Sequence, residues 1–190
     1  LADDGEILVR GPNVFQGYYK DPAATKATLI DGWLYSGDVG EFDADGFLRI
    51  TDRKKDLIIT AGGKNVAPAV LEDRLRANPI ISQCVVVGDN KPYIGALVTL
   101  DQDALPQILA ANNIESAPMS DLIQNADVRA LVQKAVNAAN EAVSNSEAIK
   151  KFVILPEDLT IDNGYLTPKM SIRRHLIVQD FAGDIEGLYA

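Results

Sequence analysis

The sequence predicts an α+β fold: a short antiparallel β subdomain, then a small domain in which a short antiparallel sheet is flanked by helices. Three observations carry this. Residues 5–51 read as apolar stretches punctuated by turn residues, two strongly apolar runs at 82–89 and 93–101 are joined by a short turn, and helix-periodic segments lie on both sides of that pair. The charged stretch "TDRKKD" at 51–56 separates the two patterns and divides the chain into residues 1–52 and 53–190.

The elements follow in order. "GEILVRG", "WLYSGDVGEFD" and "FLRIT" read as strands, with Asp45-Gly46 a strong hairpin signal between the last two. Between the first two, Asp21 is placed to cap a short helix, Pro22 to open it and Gly32 to follow its end. "DLIIT" reads as a buried strand leading to a glycine turn at Gly62-Gly63. Pro68 then opens a helix whose Val70, Leu71, Arg74 and Leu75 recur at helical spacing, and Pro79 follows it. "SQCVVVGD" and "YIGALVTLD" form an antiparallel pair through Asn90-Lys91-Pro92. Residues 102–113 and 121–145 read as helices, the second through a stripe that includes Leu122, Val128, Val132 and Val136. "FVILPEDL" reads as a short strand and turn, "DNG" as a tight turn, and "SIRRHLIVQDF" as a last helix.

Composition bounds the function. The 190 residues carry a net charge of −9 and are 47% hydrophobic, enough for a core. The acidic balance argues against nonspecific nucleic-acid binding, which draws its affinity from Lys and Arg on phosphates, so an anionic ligand needs a local basic site. One cysteine, Cys84, sits in an apolar run, which excludes an internal disulfide and fits a buried residue in a reducing, cytoplasmic setting. No apolar run is long enough to span a membrane. The start lacks both the signature of a signal peptide and an initiating methionine, which predicts a piece of a longer protein. Gly62-Gly63-Lys64 lacks the spacing of a phosphate loop, and one histidine, His175, with one cysteine makes no zinc cluster, so no metal site is expected.

"GWLYSGDVGEFDADGFLRITDRKKDLIITAGGKNVAPAVLE" at 32–72, "GDNKPYIGALVTLD" at 88–101, "LTPKMSIRR" at 166–174 and "DIEGLYA" at 184–190 stand in order along the chain. Together they resemble the adenylate-forming acyl-CoA synthetase superfamily, and the last three look most like long-chain fatty-acid CoA ligases. The resemblance covers essentially the whole chain. It implies that residues 1–52 end a large adenylation domain and that 53–190 form the mobile lid domain that closes over it.

Specific positions follow from that resemblance. Asp38, a turn aspartate when read alone, matches the aspartate that holds the ribose hydroxyls of the adenylate, where a carboxylate accepts two O–H bonds. Arg53 matches an arginine that approaches the nucleotide and Lys55 the hinge about which the lid swings, while Lys54 reads as a solvated charge. Gly62 and Gly63 match the loop that meets the pantetheine arm of CoA, where missing side chains permit close backbone approach. The family's mobile loop commonly reads Thr-Pro-x-x-Lys; here Ser171 stands at the lysine position and Lys169 lies two residues early. A displaced catalytic Lys169, substitution by Arg173 and a lost lysine all remain open.

The resemblance implies a ligase that joins a fatty acid to AMP using ATP and Mg²⁺, then passes the acyl group to CoA. The metal is expected to be held by ATP and residues upstream. Its expected partners are fatty acid, ATP, CoA and the protein's own N-terminal domain, with peripheral membrane contact left open. These residues alone are expected to be inactive. An acyl-AMP ligase loading a carrier protein and a noncatalytic binding module are the alternatives.

Overall fold

A computed structural model describing residues 1–190 resolves the first part of the chain into a four-stranded antiparallel sheet. Strand β1 (Glu6–Val9) precedes helix α1 (Pro22–Thr28), which leads through β2 (Leu29–Ile30) to the central β3 (Trp33–Phe42) and on to β4 (Leu48–Arg53). Asp21 caps α1, its Oδ1 accepting the Ala24 N–H at 2.9 Å, and Pro22 opens it as expected. The helix ends earlier than expected. Asp31 and Gly32 take left-handed φ angles of 51° and 80°, which build a two-residue hairpin turn and pull Leu29 and Ile30 into pairing with Leu34 and Trp33. The Asp45-Gly46 hairpin forms, with Gly46 at φ 86° and the Asp43 N–H bonded to the Phe47 carbonyl at 2.9 Å.

After β4 the chain makes a 3-10 turn at Lys54–Asp56, and contacts divide it into two compact units, Leu1–Leu57 and Ile58–Ala190. A division at 52/53 would cut β4, whose Arg53 is still in register with Asp38. The break therefore falls after the turn.

The second unit starts with a ribbon of β5 (Ile58–Ile59) and β6 (Asn65–Val66), followed by α2 (Pro68–Arg76). Next come β7 (Ile81–Val87) and β8 (Ile94–Leu100), then α3 (Leu105–Ala111), α4 (Met119–Leu122) and α5 (Ala126–Asn140). The unit closes with β9 (Ile149–Ile154), α6 (Arg174–Asp180) and α7 (Ala182–Tyr189). β7 and β8 pair antiparallel as the sequence predicts, but β9 adds to β8 in parallel. Three helices lie between β8 and β9, which is the long crossover that parallel pairing requires. The helix expected over 121–145 is broken, because the Asn125 side chain accepts the N–H groups of Asp127 and Val128 and so starts α5 afresh.

Strand β7 is apolar on both faces because both are covered. Cys84 and Val86 pack with Leu71 and Leu75 of α2 and Val132 of α5, whereas Val85 and Val87 pack with Leu159, Ile177 and Leu188 on the opposite side. Cys84 is fully buried, and burial pushes its thiol well above the ordinary range. No helix is long and apolar enough to cross a membrane.

Candidate functional site

Two groups of candidate residues stand in the structure, one in each unit. In the first, the β3–β4 register sets Asp38 opposite Arg53, and the Arg53 Nε lies 3.7 Å from Asp38 Oδ1. Both side chains stay accessible, at 34% for Asp38 and 64% for Arg53, so this is a loose pair with carboxylate oxygens free to take other donors. The turn before Asp38 is firmly built. Gly37 sits at φ 74°, Ser36 Oγ accepts the Asp38 N–H at 3.0 Å, and the Gly37 N–H donates to Glu6 Oε1 at 2.9 Å.

Lys54 is not the solvated charge the sequence suggested. Its ammonium bonds Asp4 Oδ2 at 2.6 Å and Glu6 Oε2 at 2.8 Å, and these two carboxylates, Asp4 first, hold its pKa above the ordinary lysine range. The Lys54 ammonium in turn holds Asp4 below the usual carboxylate range. Glu6, only 4% exposed, thus ties Lys54 to the Gly37 turn. Its one signal in the sequence is a charge leading an otherwise apolar strand. Lys55 is exposed and, with Ser36, Gly37, Asp38, Arg53 and Lys54, borders an open concavity of about 510 Å³.

In the second unit Gly62 and Gly63 form the turn that closes the β5–β6 ribbon. The Gly63 N–H bonds the Thr60 carbonyl at 2.8 Å and the Thr60 N–H bonds the Lys64 carbonyl at 3.0 Å. Gly63 needs its glycine, at φ 76°. Gly62 does not: its φ is ordinary, and a Cβ there would meet nothing closer than Thr60 Oγ1 at 3.9 Å. The turn is braced from below by Ala61 N–H to the Lys91 carbonyl at 2.9 Å and from the side by Lys64 with Glu147 at 3.3 Å. Burial raises the Glu147 pKa, but hydrogen bonds from Ser144 and the Lys64 charge outweigh it and leave the group below its ordinary value.

The basic segment near the end divides by role. Residues 167–171 form a tight hairpin closed by Thr167 N–H to the Ser171 carbonyl at 2.9 Å and by Met170 N–H to the Thr167 carbonyl at 2.8 Å, with Met170 left-handed at φ 61°. The segment is therefore a turn, and Lys169 and Ser171 hold different places in it. Lys169 stands exposed in the turn, and Ser171 belongs to the pair that closes it. Arg173 and His175 are exposed as well. Arg174 is structural: its guanidinium donates to the Val86 carbonyl and to Glu72 Oε1, both at 2.7 Å, while Glu72 Oε1 accepts the Val86 N–H at 2.8 Å. The two side chains fill the open edge of β7 as a neighbouring strand would. No group of three or more His, Cys, Asp or Glu side chains comes together to hold a metal ion.

The chain is 54% identical over all 190 residues to the long-chain-fatty-acid–CoA ligase FadD15 of Mycobacterium tuberculosis, of which it covers 32%. It is 38% identical over 205 aligned positions to the long-chain-fatty-acid–CoA ligase ACSBG2 of Gallus gallus, covering 98% of this chain and 27% of that one. The chain thus spans about a third of the length of these relatives. Among solved structures, the adenylation domain of a carboxylate reductase from Mycobacterium chelonae shares the fold, with TM-score 0.76 at 23% identity over 97% of this chain and 27% of that one. The o-succinylbenzoate CoA synthetase of Bacillus subtilis, solved in complex with AMP, matches with TM-score 0.59 at 27% identity over 90% of this chain and 29% of that one. The family model for the AMP-binding enzyme C-terminal domain matches residues 55–190, which takes in the glycine turn, the sheet of β7, β8 and β9 and the Lys169 hairpin; the chain belongs to that family.

Proposed function

We propose that these residues are the C-terminal part of an ATP-dependent fatty-acid–CoA ligase, with the unit through Leu57 ending a large adenylation domain and Ile58–Ala190 forming its lid. The carrying observation is the Asp38–Arg53 pair, two accessible opposite charges held in register beside a concavity, in a chain whose full length matches long-chain-fatty-acid–CoA ligases. In the first step a fatty carboxylate oxygen attacks the α-phosphorus of ATP and pyrophosphate leaves. In the second the thiol sulfur of CoA attacks the acyl carbonyl, its proton passes to solvent, and AMP leaves.

The chain's own groups have separate tasks. Asp38 accepts the two ribose hydroxyls and Arg53 approaches the nucleotide from the neighbouring strand. Lys55, exposed after the 3-10 turn begins, serves as the pivot. Lys169 brings an ammonium to the carboxylate and α-phosphate during adenylation, stabilising charge as it develops. Gly62, with no local need for its missing side chain, leaves room for the pantetheine arm in the second step. Mg²⁺ would be held by the ATP phosphates and by residues upstream, since the chain offers no ligand cluster for it. Buried, unpaired Cys84 supports a reducing cytoplasmic setting.

The test is fatty-acid-dependent ATP–pyrophosphate exchange by the intact protein, followed by addition of CoA. Exchange should fall by ~10²- to 10³-fold in Lys169→Ala. Ser171 at the usual lysine position favours a noncatalytic module as the second reading, and absence of exchange would establish it. Exchange without thioester would point instead to a carrier-protein acceptor. Residues 1–190 alone should form no acyl-CoA, and measurable formation would refute the assignment of the missing steps to other polypeptide.

A further inference from the structure

The Lys169 hairpin is fastened to the sheet by a carboxylate that the ligase chemistry does not use. Asp158, just past β9, accepts the Ser82 hydroxyl of β7 at 2.6 Å, the Thr99 hydroxyl of β8 and the Leu159 N–H at 2.8 Å. Its partners are two hydroxyls and an amide, so it is not there to pair a cation. From Asp158 a path of hydrogen bonds runs outward. The Asp158 carbonyl accepts Asn163 Nδ2 at 2.7 Å, Asn163 Oδ1 accepts the Thr160 N–H at 2.9 Å, and the Thr160 carbonyl accepts the Leu166 N–H at 2.9 Å. Leu166 then bridges Ile172 across the base of the hairpin.

Packing seats this root, with Leu166 2% exposed and Tyr165 and Ile172 packed against the cluster of Leu159 and Ile177, but it does not reach the tip. A recess of about 330 Å³ bordered by Ser82, Asp158, Thr160, Ile161, Leu166 and Met170 lies beside it, and Ile161 and Met170 are exposed at 44% and 58%. The tip beyond Leu166 thus has little side-chain contact of its own, and the polar path adds direction to the packed root. On the far side the hairpin is stopped by Arg174, which is bound to Glu72 and Val86.

We propose that Asp158 is a positioning residue for Lys169, fixing the root of its hairpin to β7 and β8 through Ser82 and Thr99. The inference rests on the ligase reading for its catalytic consequence and on geometry for its structural one. The glycine turn hangs on the β5–β6 ribbon and the 88–92 loop instead, so the two half-reactions should separate.

In the intact protein, Asp158→Ala should lower pyrophosphate exchange on the order of ten- to a hundredfold, the scale expected when a catalytic group is displaced by about 1 Å. Thioester formation from supplied acyl-adenylate should change by less than about twofold, since that step does not use the hairpin. Asp158→Asn should restore exchange, because its amide oxygen still accepts and the Ser82 hydroxyl can accept from its NH₂. The double variant Ser82→Ala/Thr99→Val attacks the same anchor from the sheet side and should reproduce the loss. Equal falls in both half-reactions, or no fall, would overturn the proposal. Amide hydrogen exchange reads the geometry without catalysis: in Asp158→Ala, Leu166 and Thr167 should lose protection while β7 and β8 keep theirs. Unchanged protection there overturns the positioning role; lost protection in Asp158→Ala, when the unsubstituted protein itself makes no acyl-adenylate, sustains that role and overturns the ligase reading.

Discussion

Gly62 and Gly63 adjoin in sequence yet answer to different demands. Gly63→Ala should cost about 1 kcal/mol of stability, because its left-handed φ strains any Cβ. Gly62→Ala should leave the urea midpoint of the chain unchanged while slowing thioester formation in the intact protein. A stability loss at Gly62 equal to that at Gly63 would remove the reason for assigning Gly62 to a ligand. Arg174 stands at the opposite pole from its exposed neighbours Lys169 and Arg173. Arg174→Met leaves the Glu72 carboxylate, whose side chain is 6% exposed, without its cation, and should destabilise the second unit by about 3 kcal/mol in urea titration. Adding Glu72→Gln should recover part of that loss, since the amide oxygen still accepts the Val86 N–H and no charge is left buried. Recovery of nothing would mean that the pair acts through packing.

Strand β3 shows how one element governs the first candidate site. Its Gly40 lies beside a register shift, and a Cβ there would sit 2.6 Å from the Arg49 carbonyl and 2.9 Å from Ile7 Cδ1. Gly40→Ala must therefore push β4 away and loosen the Asp38–Arg53 pairing, so nucleotide-dependent exchange should fall more than tenfold, as expected when reacting groups shift by about 1 Å. Unaltered exchange would show that the register does not matter to the site. Elements with local causes were legible in sequence: Asp21-Pro22 opening α1, Asp45-Gly46 turning β3 into β4, and the run Cys84–Val87 filling both faces of a covered sheet. What escaped depends on distant partners or on local competition. Parallel β9 is fixed by packing after a long crossover, the Glu72–Arg174 clamp joins residues 102 positions apart, and Asn125 breaks a periodic stripe by capping rather than by any change in apolar spacing. The candidate residues were legible through their motifs, but not the Glu6–Lys54 support beneath Asp38, which only the folded sheet assembles.

The two units are built to very different depths. The second has buried clusters on both faces of its sheet, whereas Ile7 is the one buried hydrophobic side chain of the first, and Phe42, Phe47 and Ile50 there are exposed at 59%, 71% and 68%. A unit of this size is marginal even with a core, because so little of its surface leaves water. What fastens it is largely polar, including Lys54 with Asp4 and Glu6, and that arrangement has a pH signature. Asp4 is held below the usual carboxylate range by Lys54, so its contribution is present at neutral pH and lost as pH falls through its folded value. Lys54 is shifted upward, so its contribution persists below the ordinary lysine range and is lost only as pH rises through the raised value. The chain supplies its own reporters. Its single tryptophan, Trp33, lies on β3, and six of the seven α-helices lie in the second unit. In urea, Trp33 fluorescence should therefore change at a lower midpoint than helical circular dichroism, and the fluorescence transition should carry the Asp4–Lys54 signature, moving to still lower urea as pH is taken from about 6 to about 3. Coincident transitions at both pH values would mean that the first unit draws its stability from the second, and the division at Leu57 would cease to describe how the chain unfolds.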